Sequence, residues 1–146
     1  MTAIHPLTAA DRDEWLPLWR GYLEFYEADL PSFVTDVVFQ RLTDGEGVHG
    51  AIARDDERRA VGLVHWLFHP STWSVGPYCY LEDLFVAAEV RGQGVGRALI
   101  AHVRDQATDA GAAKVYWLTH ETNTTGRALY DRVAELTGFV HYEIEL

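Results

Sequence analysis

Apolar residues along the chain repeat with two periods, and the two periods alternate. Trp15, Leu18, Trp19, Tyr22, Leu23 and Tyr26 fall three or four positions apart and form one face of a helix. Thr8 or Asp11 can cap its start, and a short strand around Ala3 to Leu7 precedes it. Pro31 opens a second helix through Val34, Val37, Val38 and Leu42, which Gly45 and Gly47 end. The pattern then becomes extended. His49 to Ala53 and Ala60 to Phe68 read as strands around Arg54-Asp55-Asp56-Glu57-Arg58-Arg59, a solvated turn of mixed charge. Tyr78 to Val86 is the next strand. Val95, Leu99, Val103 and Ala107 recur every fourth position and predict a helix to about Ala110, stopped by Gly111. Lys114 to Thr119 is rich in β-formers. Asn123 can cap a helix whose Leu129, Val133 and Leu136 share a face. Gly138 closes it, and Phe139 to Ile144 alternates as a last strand. The order β-α-α-β-β-β-α-β-α-β predicts one mixed α/β (α+β) domain over residues 1–146.

Composition agrees with a folded domain and narrows its partners. The chain of 146 residues is 48% hydrophobic and 23% charged, which suits a globular protein. Its 12 basic and 22 acidic residues give a formal net charge of −10. So acidic a chain is poorly suited to nucleic acid or an anionic membrane, and better suited to a cationic small molecule or basic partner. The single cysteine, Cys79, excludes an internal disulfide and a Cys-based zinc site. No basic-then-apolar leader opens the chain, and no apolar run reaches the ~18 residues of a membrane span. The expectation is a cytoplasmic protein, in which the sequon at Asn123-Thr124-Thr125 stays unmodified.

One segment changes this picture. Arg91-Gly92-Gln93-Gly94-Val95-Gly96-Arg97 lies between a predicted strand and a predicted helix. Glycine tolerates positive φ and lets another molecule approach the backbone. Successive N–H groups at a helix start bind anions, and arginines add charge-assisted donors. The spacing fits neither Gly-x-Gly-x-x-Gly nor the Gly-Lys-Ser/Thr of a P-loop. A phosphate-bearing ligand remains the natural guest.

Here the chain resembles the GCN5-related N-acetyltransferase (GNAT) family, near its polyamine- and histone-acetylating branch. The family's acetyl-CoA signature, Arg/Gln-x-x-Gly-x-Gly/Ala, is matched by Arg91-Gly92-Gln93-Gly94-Val95-Gly96. Tyr80-Leu81-Glu82-Asp83-Leu84-Phe85-Val86 fits the strand before the signature, and Asn123 with Tyr130 fits a later helix. The resemblance implies a mixed, mostly antiparallel central sheet flanked by about four helices. It implies acetyl-CoA as cofactor. Leu84, Phe85 and Val86 would pair with the pantetheine arm through their backbone, and Arg91, Gly92, Gln93, Gly94, Val95, Gly96 and Arg97 would cradle the pyrophosphate. Asn123 would hold the pantetheine, Tyr130 would lie beside the sulfur, and Arg132 would reach a phosphate. One feature departs from the common pattern: Gly138-Phe139 follows Tyr130 by eight residues instead of about four. That spacing resembles a branch containing dimers, so a homodimer that exchanges or pairs its last strand is expected.

Acetyl transfer to an amine needs a base, because an amine of pKa ~10.4 is mostly protonated at neutral pH. It also needs donors for the developing oxyanion and a proton for the departing thiolate. Glu82 is the candidate base, direct or through water, with His65 or His120 in reserve. Tyr130 is the candidate acid. Direct attack in a ternary complex leaves Cys79 without a role. Asp83 neighbours Glu82, and in a regular strand the two point to opposite faces, so both serve one site only where the strand bulges or the site wraps its edge. Glu24, Glu27, Trp66, Glu82 and Asp83 are the candidate acceptor-binding residues. Aromatics such as Trp15, Trp19, Tyr22 and Tyr26 read mainly as core, although some could line a pocket for a cation's alkyl stem. No metal site is expected, since no His-Glu-x-x-His spacing occurs. Arginines would gather at the cofactor turn and carboxylates on the acceptor side. The expected function is acetyl-CoA-dependent N-acetylation of a primary amine, polyamine-like or a small amino compound. The alternatives are a protein-lysine acetyltransferase, a non-catalytic acyl-CoA-binding module, and a nucleotide or phosphate binder using only the turn.

Overall fold

In a computed structural model, which describes residues 2–146, five strands form one sheet in the order β1-β2-β3-β4-β5. The strands are β1 (Ala3–Pro6), β2 (His49–Arg54), β3 (Ala60–His69), β4 (Tyr78–Val86) and β5 (Lys114–Tyr116). The first four pair antiparallel, and β5 runs parallel to β4. The helices are α1 (Arg12–Phe25), α2 (Ser32–Asp44), α3 (Val95–Asp109) and α4 (Thr124–Val133). This is the mixed, mostly antiparallel sheet with four helices that the family resemblance implies.

The helices start and stop where the residues dictate. Thr8 and Asp11 form a reciprocal cap on the 3-10 turn that leads into α1. Gly45 ends α2 in the left-handed conformation at φ 66°. Asn123 caps α4 by accepting from the Gly126 N–H at 3.2 Å.

The core has a layer on each face of the sheet. On one side, Trp15, Leu18 and Trp19 of α1 and Phe39 and Leu42 of α2 are buried; Trp15 is wholly enclosed. On the other, Val95, Leu99, Val103 and Ala107 of α3 are buried, the four positions whose spacing predicts that helix. Gly62 shows how closely α3 lies: a Cβ there would come within 3.2 Å of both Leu99 and Val95.

Two expectations change near the C-terminus. Lys114 to Thr119 is a strand only as far as Tyr116. The predicted last strand is absent: residues 135–146 form no helix or strand. Leu136, Phe139, Val140, Tyr142, Ile144 and Leu146 are each at least 74% exposed. An alternating apolar pattern needs a partner edge to become a strand, and none among the described residues pairs with that segment.

Candidate active site

The β4–β5 pairing spans only three rungs, Tyr78 with Lys114, Cys79 with Val115 and Tyr80 with Tyr116. Beyond the third the strands part. Leu81 to Val86 keep β3 on one side and have no strand partner on the other. A narrow cleft opens there. Leu81, Glu82 and Leu84 form its β4 wall, and Trp117 and Leu118 form the wall that continues β5. Tyr22 of α1, Tyr26 just after it, Ile100 of α3 and Tyr130 of α4 complete the lining.

The pairing of β3 with β4 contains one irregularity, and it falls at the candidate base. His65 pairs with Asp83 and the next residue, Trp66, pairs with Leu81, so Glu82 has no partner. Glu82 is the extra residue of a β-bulge. Glu82 lines the cleft, while Asp83 meets His65, Nδ1 to Oδ2 2.9 Å. Asp83 is not part of the cleft wall; it acts on the cleft through its charge, which raises both Glu82 and Tyr22.

Electrostatics separate the titrating groups. Burial raises the Glu82 carboxyl above its ordinary value, and the Asp83 charge raises it further. Burial also raises Tyr130, so its hydroxyl stays protonated at neutral pH. The Tyr130 ring stands edge-on to Trp117, with centroids 5.5 Å apart, which fixes the hydroxyl's place in the cleft. Tyr22 is raised most strongly, by burial first and by Asp83 second. Cys79 lies wholly buried on β4, and burial pushes its thiol up to about 11, so it is an inert core residue.

The glycine turn lies at the far end of β4. Gly92 and Gly94 have φ 82° and 87°, and a Cβ on either would meet nothing within 4 Å, so their backbone is open to a ligand. Gly94 is the residue before α3, whose first N–H groups are exposed to a ligand there. Arg91, Gln93 and Arg97 are exposed, Val95 is buried, and Gly96 is nearly closed by Leu129, 3.2 Å from where a Cβ would be. Arg91 donates from Nε to the Val86 carbonyl at 3.0 Å, tying the turn to the end of β4. Its guanidinium lies 5.6 Å over the Phe85 ring. Thus the unpaired edge at Leu84, Phe85 and Val86 leads from the cleft to the turn, a track that fits an extended arm ending in phosphates.

The remaining candidates divide. Asn123 borders this region, but its amide is engaged, accepting from Gly126 and donating to Thr119 Oγ1 at 3.0 Å. Arg132 is exposed on the last turn of α4. Glu24 and Glu27 are exposed at the end of α1 and do not line the cleft. Tyr22 and Tyr26, which do, lie on the helix stripe that reads as core; their lining role is visible only once the strands part. Trp66 is buried and stands edge-on to His102 of α3, outside the cleft lining. His65 lies within the α1-side layer, and His120 is exposed beside Thr122. The charge split holds only in part: Asp55, Asp56 and Glu57 of the β2–β3 turn border a depression of about 540 Å³ that Gln93 and Gly94 also line. Among the described residues no group of three His, Cys, Asp or Glu side chains could hold a metal, and no helix is long and apolar enough to cross a membrane.

Known proteins match this arrangement. Residues 12–134 match the Acetyltransferase (GNAT) family. The D-amino-acid N-acetyltransferase HPA3 of Saccharomyces cerevisiae is 36% identical over 135 residues, 91% of this chain and 84% of that protein. The thialysine N-epsilon-acetyltransferase of Caenorhabditis elegans is 34% identical over 90 residues, 62% of this chain and 55% of that protein. Among solved structures, the aminoglycoside acetyltransferase AAC(6')-Iy, in complex with a bisubstrate analogue built on CoA, superposes with TM-score 0.86 at 19% identity, covering 100% of this chain and 99% of that one. The ribosomal-protein-alanine N-acetyltransferase of Brucella melitensis superposes with TM-score 0.81 at 23% identity, covering both chains in full. The chain belongs to the GNAT family: it is an N-acetyltransferase, and acetyl-CoA is its acetyl donor.

Proposed function

We propose that the protein acetylates the primary amine of a small, cationic molecule, polyamine-like or an amino compound, by direct attack in a ternary complex. The observation that carries this is the placement of Glu82 and Tyr130 in one cleft, where β4 and β5 part. Bound acetyl-CoA supplies the acetyl group as a thioester. Glu82, raised by burial and by Asp83, takes the proton of the incoming amine, directly or through a water. The Tyr130 hydroxyl holds a proton to give to a thiolate. Backbone N–H groups on the free edge at Leu84 to Val86 are the candidate donors for an oxygen that gains charge. The turn from Arg91 to Arg97 is the candidate pyrophosphate cradle, Arg132 can add a phosphate contact, and the unspent amide proton of Asn123 can meet the pantetheine.

The acceptor class follows from the cleft's chemistry. Four aromatic rings and a carboxylate line it, with no Lys, Arg or His among the lining residues. Aromatic faces and a carboxylate favour an ammonium and its alkyl stem. A carboxylate on the acceptor would have to lie away from the reacting amine, as in thialysine, the substrate named for the nematode relative. A lysine side chain shares this chemistry and is the second reading. Glu24, Glu27 and Trp66 carry no part of it.

Two further assignments belong to this reading. The exposed apolar segment after Gly138 suits a homodimer in which it pairs with the partner copy. The one buried thiol suits a reducing compartment, the cytoplasm. Screening a panel of amines with acetyl-CoA and mass-spectrometric detection tests the function. Acetylated diamines support it; turnover confined to lysine peptides transfers it to the second reading.

A further inference from the structure

We propose that His65 is a positioning residue for Glu82, acting through Asp83. The inference rests on Glu82 as the base of the reading above and adds the device that holds it. Glu82 is the unpaired residue of the bulge, and the rung beside it is His65 with Asp83. At that rung the side chains are joined as well, His65 Nδ1 to Asp83 Oδ2 at 2.9 Å. Regular pairing continued from Trp66 and Leu81 would put Glu82 opposite His65 and Asp83 opposite Val64, which is wholly enclosed. The side-chain bond opposes that slip. It keeps Asp83 on His65 and leaves Glu82 as the extra residue, on the cleft wall.

The bond has a fixed direction. On its other side the imidazole meets Trp15, whose Nε1–H donates to His65 Nε2 at 3.0 Å. An indole N–H can only donate, so Nε2 accepts and the imidazole proton sits on Nδ1, which donates to Asp83. The ring is held in that orientation: Trp15 is wholly enclosed, His65 is 3% exposed, and the Trp19 ring lies against the imidazole with centroids 5.3 Å apart. Both nitrogens are engaged, so neither is free to take a proton from an amine. The Nδ1–H instead supports the ionised form of Asp83, a carboxylate whose side chain is only 14% exposed. Glu82 faces Tyr22 and Tyr26 at and just after the last turn of α1, His65 on β3, Tyr80 and Asp83 on β4, and Tyr130 on α4. Tyrosine hydroxyls are neutral near pH 7 and His65 is neutral by its bonds, so Asp83 supplies the charge beside the base. His65 thus secures both the register that leaves Glu82 in the cleft and the carboxylate that acts on it.

The test uses the full chain. In imidazole-labelled protein at neutral pH, two-bond 15N–1H spectra should show His65 with a protonated Nδ1 and a bare Nε2. A proton on Nε2 overturns the proposal. The Glu82 carboxyl is then titrated by 13C NMR, its signal assigned by its loss in Glu82→Gln. His65→Leu and Asp83→Asn should each lower its midpoint by about one pH unit, the low end of the range for one nearby charge. The His65→Leu/Asp83→Asn double variant should match Asp83→Asn alone. Two amides separate the roles of the two nitrogens. His65→Gln puts its amide near the Nε2 position, out of reach of Asp83, and should behave as His65→Leu. His65→Asn puts its amide near the Nδ1 position, can still donate to Asp83, and should stay near wild type. With 1,3-diaminopropane as the acceptor probe, His65→Leu and His65→Gln should lower kcat about tenfold, less than loss of the base itself, with the acetyl-CoA KM unchanged. An unmoved or raised Glu82 midpoint in His65→Leu or His65→Gln, shifts that add in the double variant, or equal effects of Gln and Asn overturn the proposal. If His65→Leu fails to fold, His65→Gln against His65→Asn decides it. If no amine is turned over, the functional reading falls separately, and the Glu82 midpoints, which need no turnover, decide this one.

Discussion

The cofactor turn and the acceptor side of the cleft are built in different ways. The turn is seven consecutive residues whose proposed working groups are backbone N–H atoms, and a Cβ on either of its two open glycines would meet nothing within 4 Å. The acceptor side draws Tyr22 from α1, Tyr26 from just after it, Glu82 from β4, Trp117 from the segment after β5 and Tyr130 from α4. Its proposed working groups are side chains brought together from separate elements. Ligand binding at the turn should therefore depend on local backbone geometry, and amine chemistry on long-range packing.

The comparison is broken most severely at the base. Glu82→Gln should lower kcat by about 10²- to 10³-fold, the scale of one general base, and leave the acetyl-CoA KM near wild type. A variant within tenfold of wild type would remove Glu82 from that role. The turn should fail in the opposite coordinate. A β-branched side chain at Gly94, φ 87°, imposes strain of about 1–3 kcal/mol. Gly94→Val should raise the acetyl-CoA KM about ten- to a hundredfold with the amine KM unmoved, as steady-state kinetics can show. Tyr130→Phe should cost about tenfold in kcat, less than the base, because a thiolate of reference pKa ~8.5 can leave unaided.

Smaller effects sharpen the electrostatics. Because Glu82 titrates above the ordinary carboxylate range, the acid limb of kcat/KM should lie above that range as well. Asp83→Asn removes the like charge that helps raise Glu82, so the limb should move to lower pH. A limb that stays or rises would show that Asp83 does not act on Glu82. The same shift bears on stability. A carboxyl whose pKa is higher in the folded than in the unfolded chain favours folding when protonated, and that advantage is lost as pH rises through the two values. Glu82→Gln should therefore melt slightly above wild type at pH 8, with a smaller difference at pH 4. The gain is small because Glu82 is exposed at the cleft mouth.

Legibility followed the same division. Helix stripes such as Val95, Leu99, Val103 and Ala107 announce both an element and its buried face, because helix period and packing depend on neighbours within four residues. The glycine turn was readable for the same reason. Glu82 was readable as a candidate, and its adjacency to Asp83 correctly posed the question of a bulge. Trp66 and the pair Glu24 and Glu27, expected as acceptor contacts, lie outside the cleft lining. Residue type and position near a helix end do not reveal which way a side chain faces once the sheet is formed. The C-terminal alternation was read as a strand, but a strand needs a partner edge, and the sequence does not say which chain provides it.

The sequence by itself determined the order of elements from β1 to α4, the buried helix stripes, the glycine turn before α3 and the residue types available for proton transfer. These rest on local backbone preferences and short-range periodicity. Only the tertiary structure decided where β4 and β5 part, that Glu82 is the unpaired residue of a bulge, and that Trp15, His65 and Asp83 join in one hydrogen-bonded chain. Those facts depend on strand register and on contacts between residues up to 50 positions apart, set by packing the whole core at once.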